Sequence, residues 1–119
     1  MTRSIPSPRC LLGIEAGGTR TVAIAEMGSN LVRHEFGPAN LRLLNDAQLL
    51  HHFRSIARTM PKPESLAIGM AGARTDSDRA RIRQAAAVVW KGVPCLATND
   101  LETALMSGRE AARGAGVGR

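Results

Sequence analysis

Apolar residues recur along this chain in two rhythms, close-set and alternating in the first third and helical thereafter. Leu11, Leu12 and Ile14 make a short apolar run over residues 10–15 that reads as a buried strand, and residues 20–26 read as a second. Gly28, Ser29 and Asn30 supply turn chemistry. Residues 31–36 then alternate, placing Val32, His34 and Phe36 on one face of a third strand. Links this short predict an antiparallel meander, which Gly37-Pro38-Ala39-Asn40 ends.

The pattern then changes period. Asn45 is an N-cap candidate with Gln48 three residues on, and Leu49, Leu50, Phe53, Ile56, Ala57 and Met60 fit one face of a helix. Pro61 and Pro63 stop it. Ser65 to Met70 reads as a buried strand closed by Ala71-Gly72-Ala73. Thr75 and Asp78 have capping-box spacing and predict a second helix with Ile82, Ala85, Ala86, Val89 and Trp90 inward, ended by Gly92. Val93 to Thr98 is a fifth strand, and Asn99-Asp100 opens a third helix through Leu101, Ala104 and Leu105. The order β-β-β-α-β-α-β-α predicts an α/β domain with a ribonuclease-H-like mixed sheet, the half-unit of actin-like ATPases. The expected organisation is a flexible start over 1–9, one domain over 10–112, and a glycine-rich tail over 113–119.

Composition narrows this picture. Aromatic residues are only 3% of the chain, so the core must be built from aliphatic side chains and Met. The net charge of +6 is carried almost wholly by arginines scattered from Arg3 to Arg119, with no aromatic residues interleaved as stacking platforms. Arg79, Arg81 and Arg83 read as solvated helix positions, and nucleic acid is not expected as a partner. Cys10 and Cys95 read as small buried hydrophobes of a reduced compartment. No run of 18 apolar residues and no signal-peptide core are present, so no membrane partner is expected and the expected location is cytoplasmic. His34 reads as half-buried structure, and His51 and His52 lack a third ligand for a metal.

The candidate chemistry lies in Gly13-Ile14-Glu15-Ala16-Gly17-Gly18-Thr19-Arg20-Thr21. A strand ends in an acid, and two glycines and two hydroxyl residues follow before the next strand. Backbone amides of Gly17 and Gly18, with the hydroxyls of Thr19 and Thr21, suit a phosphate at the tip of a hairpin. The carboxylate of Glu15 suits a Mg²⁺ ion held through water. The same residues equally suit plain turn chemistry and an exposed acid. The run fits neither of the familiar glycine-rich nucleotide signatures.

Four segments taken together resemble the first domain of the BadF/BadG/BcrA/BcrD-type ATPase family, which includes the eukaryotic-type N-acetylglucosamine kinases. They are the Gly13–Thr21 run, Gly37-Pro38-Ala39-Asn40, Ile68-Gly69-Met70-Ala71-Gly72-Ala73, and Thr98-Asn99-Asp100 followed by Ala104-Leu105. The resemblance implies ATP and Mg²⁺ as cofactors, with Gly17, Gly18, Thr19 and Thr21 on the ATP phosphates and Glu15 placing the metal. It implies Asn40 and Asp100 as contacts to a sugar acceptor, with Asp100 the catalytic base. Ala16 departs from the glycine that the family usually has there. The family's second domain would lie beyond this chain, so the implied function is the first half of an ATP-dependent sugar kinase, inactive alone. The alternatives are an ATPase activator of an acyl-CoA dehydratase or reductase, and a non-catalytic fragment that keeps the fold. A homodimer stays open as a further partner.

Overall fold

The computed structural model describes residues 9–98. The expected third helix, Asp100 and the domain limits at 112 and 113 lie outside the described residues. Seven main elements appear in the expected order: β1 (Cys10–Ala16), β2 (Thr21–Met27), β3 (Asn30–Phe36), α1 (Asp46–Thr59), β4 (Ser65–Met70), α2 (Asp76–Val89) and β5 (Cys95–Thr98). A single 3₁₀ turn, Leu41–Leu43, precedes α1 and was not expected. The strands form one mixed sheet in the order β3-β2-β1-β4-β5. β1 pairs antiparallel with β2 and parallel with β4, and β4 pairs parallel with β5. This small α/β domain is consistent with a ribonuclease-H-like fold.

The helices begin where local chemistry dictates. Asn45 accepts from the Gln48 N–H at 2.8 Å while Gln48 accepts from the Asn45 N–H at 2.9 Å, a reciprocal capping box. Thr75 and Asp78 make the second one at the start of α2. Strand alternation sends Leu12, Ile14 and Ala16 of β1, Ala23 and Ala25 of β2, and Leu66, Ile68 and Met70 of β4 into one core. Leu49, Phe53 and Ile56 of α1 and Ile82, Ala85 and Ala86 of α2 fill the other side. Phe53 packs against Trp90 with ring centroids 5.7 Å apart, so two of the three aromatics sit together.

Two polar contacts differ from expectation. Arg81 is not a solvated helix residue. Its guanidinium donates to the Leu41 carbonyl at 2.9 Å, to the Leu44 carbonyl, and to Asp46 at 2.7 Å. It therefore fastens α2 to the irregular segment that enters α1. Thr21 is wholly buried, because it shares the core face of β2 with Ala23 and Ala25. Its hydroxyl donates to the Gly37 carbonyl at 2.8 Å and lies 3.0 Å from His52 Nε2. A hydroxyl carries one hydrogen, so the imidazole donates from Nε2. Burial, followed by the charge of His51, pushes the His52 imidazole below its ordinary value. His34, expected to be half-buried, is exposed on the edge strand, between the half-buried Val32 and Phe36.

Arg81→Met is expected to lower stability by about 1–3 kcal/mol, since it leaves carbonyls without partners. Asp46→Asn should change stability by under about 0.5 kcal/mol, because the Asp46 side chain is 84% exposed. Urea unfolding midpoints measure both. Because His52 is depressed in the fold, the unfolded chain binds the extra proton first as pH falls below about 6.5, and stability falls in that window. His52→Gln keeps a donor for Thr21 and removes the titration, so its melting temperature should fall less than the parent's between pH 7.5 and pH 5.5.

Candidate functional site

β1, β3, β4 and β5 all end at the same edge of the sheet, and β2 begins there. Three segments meet at that edge: the hairpin tip 17–20, the connection 37–45, and the turn 71–75. Backbone bonds knit them together. Ala39 N–H donates to the Gly17 carbonyl at 3.0 Å, Ala71 N–H to the Ala16 carbonyl at 2.8 Å, and Leu41 N–H to the Ala71 carbonyl at 2.9 Å. Sheet edges of this kind are where ligands of α/β proteins gather.

Glu15 is exposed near the end of β1. Its neighbours Ile14 and Ala16 are buried in the core, so its side chain lies on the face opposite α1 and α2. Its partners across the strands are Val22 and Gly69, neither of them a carboxylate. Among the described residues no three metal-ligating groups converge. Glu15 therefore does not make a metal site by itself.

The groups expected at a phosphate on the hairpin tip are not all free to meet one. Gly17 N–H donates to the Arg20 carbonyl at 2.9 Å and is occupied within the turn. Neither Gly17 nor Gly18 takes a positive φ, so the tip has no left-handed glycine. Gly18, Thr19 and Arg20 are exposed and present the outer surface of the tip. Thr21, expected beside them, faces the interior.

Asn40 sits on the same edge and bridges Ala71. Its side-chain oxygen accepts from the Arg42 N–H at 2.9 Å and caps the 3₁₀ turn. Gly72 packs directly beneath it at φ 87°. A Cβ there would lie 2.5 Å from Asn40 Oδ1 and 3.1 Å from the Arg42 nitrogen, so the position admits only glycine.

Each of the three segments carries an arginine. Arg20 and Arg42 have 61% and 49% exposed side chains and make long ion pairs of 3.5 Å to Glu35 and Asp78. Arg74 is exposed, and its backbone N–H donates to Asp78 at 2.9 Å. That hydrogen bond, with those from Thr75 and the charge of Arg42, holds the Asp78 carboxyl below its ordinary range. Asp78 thereby fixes the turn that carries Arg74. Composition had suggested scattered cations; the signal that would have grouped them is their common position just after strand ends.

No family model matches the chain, and no curated protein matches it. Among solved structures, the chain is similar to Thermus thermophilus RuvC in complex with Holliday junction substrate ("T. thermophilus RuvC") at 13% identity and a TM-score of 0.45. The match covers 75% of this chain and 63% of that one, so the chain spans less than two thirds of that protein. No helix among the described residues is long and apolar enough to cross a membrane. Several expectations are corrected by these findings. The BadF/BadG-type resemblance finds no matching family, and the structure it returns is of a protein bound to a DNA junction, neither a kinase nor an ATPase activator. The sugar-kinase function, with ATP and a sugar acceptor as ligands, is withdrawn, as is the expectation against nucleic acid.

Proposed function

We propose that this domain binds nucleic acid through its phosphodiester backbone, gripping it at the carboxyl edge of the sheet. The observation that supports the reading is that Arg20, Arg42 and Arg74 stand on the three separate segments that backbone bonds join at this edge, where Gly18 and Thr19 are exposed. A phosphate chain needs this arrangement: spaced cations for charge, and amide and hydroxyl donors for position. The net charge of +6 adds long-range attraction. Long pairs to Glu35 and Asp78 leave Arg20 and Arg42 free to exchange a carboxylate for a phosphate at small cost.

The reading is of binding. Among the described residues, the cross-strand partners of Glu15 are Val22 and Gly69, neither of them a carboxylate. Glu15 can hold Mg²⁺ only together with oxygens of a bound phosphate, since the ion prefers one or two carboxylates plus phosphate oxygens. Without a cation, its charge opposes the bound phosphate.

Fluorescence anisotropy with a short labelled duplex and the full chain tests the reading. Affinity should fall steeply with salt, and Arg20→Gln, Arg42→Gln and Arg74→Gln should each lower the slope of log K against log salt by about 1. Arg58→Gln, at the far end of α1, should leave it unchanged. Binding that is indifferent to the three edge variants would refute the proposal. Mg²⁺ should strengthen binding by the parent chain, and Glu15→Gln should remove that increment.

A further inference from the structure

β3 is the edge of the sheet, with β2 on one side and no described strand on the other. The β2–β3 hairpin closes with Met27 opposite Asn30 across the two-residue turn Gly28-Ser29, and Gly28 takes φ 60°. In such a hairpin the closing pair is hydrogen-bonded and bonding alternates from there. Asn30, Val32, His34 and Phe36 therefore direct their backbone groups to β2, whereas Leu31, Arg33 and Glu35 direct theirs outward. An exposed row of this kind is a template for another strand.

The side chains select which strand. We infer that β3 pairs antiparallel with β3 of a second copy of this chain, in the register centred on His34. A two-fold pairing must match outward-facing residues with outward-facing residues, so only a few centres are open. Centring on Arg33 or on Glu35 sets like charges directly opposite each other. Centring on Val32 sets Arg33 against Leu31. Centring on His34 sets Arg33 against Glu35 of the second copy twice, through hydrogen-bonded pairs, on one face. On the other face it sets Val32 against Phe36 twice, and both are partly buried against the core.

The charges that would discourage indiscriminate edge pairing thus become the means of choosing one partner. Arg33 and Glu35 already bond to each other within the strand at 2.8 Å, and both side chains remain nearly half exposed. Exchanging that contact for its equivalent across the two-fold axis loses no ion pair. The inference does not require nucleic-acid binding, although Glu35 is also the ion-pair partner of Arg20 at 3.5 Å.

Sedimentation equilibrium of the full chain from micromolar to millimolar concentration provides the test. A monomer–dimer equilibrium is expected. Arg33→Glu and Glu35→Arg should each weaken the dimer by about tenfold or more, and the doubly reversed chain should recover the parent affinity. At the axis, a non-hydrogen-bonded pair brings Cα atoms to about 4.5 Å, within disulfide reach. His34→Cys should therefore oxidise to a covalent dimer, and Arg33→Cys should not. A chain that is monomeric throughout, a double reversal that fails to recover dimerisation, or cross-linking through position 33 instead of 34 would each overturn the inference.

Discussion

Between β3 and α1 the backbone runs irregularly across the end of the sheet, where no ladder satisfies its carbonyl groups. Arg81 resolves that problem. One planar guanidinium, reaching from α2, takes the carbonyls of Leu41 and Leu44 together with the carboxylate of Asp46. The 3₁₀ turn, the entry angle of α1 and the Asn40–Ala71 bridge are all held by that clasp. Everything described at the carboxyl edge is built on the segment it secures, because Arg42 projects from the same turn. The fold thus couples the packing of two helices to the placement of an exposed cation.

Local chemistry was readable from the sequence, and distant pairing was not. The capping boxes at Asn45 and Thr75 need only residues three apart, and both helices start where that spacing puts them. The five strands also follow from apolar runs bounded by turn residues. Val93 and Pro94 fall outside β5, whose ladder begins at Cys95. The role of Arg81 depends on a carbonyl 40 residues away, and no window of sequence contains that relation. His34 shows the complementary failure: alternation puts it on one face with the half-buried Val32 and Phe36 but does not reveal that it is itself exposed on the edge strand.

The candidate site illustrates how a glycine-rich run can be misread. Thr21 follows the tip closely enough to resemble a ligand, yet its parity with Ala23 and Ala25 commits it to the interior. That parity was available in the sequence and outweighs proximity to glycines. The same rule sends Glu15 outward between two buried neighbours. Asn40 is engaged in capping a turn, a role its neighbours Gly37 and Pro38 foreshadow. The arginines of the edge escaped notice because they are far apart in the chain, and their segments share one edge only when the strands align.

Gly72 bears on how such sequences should be compared. It is dictated by a backbone crossing and by the side chain of Asn40 pressed against it. Any lineage that solves this crossing in the same way will keep a small-residue signature after its fourth strand, whatever chemistry it performs. Profiles weighted on that signature will therefore gather proteins by architecture, and it is the variable residues flanking it that will separate them by substrate.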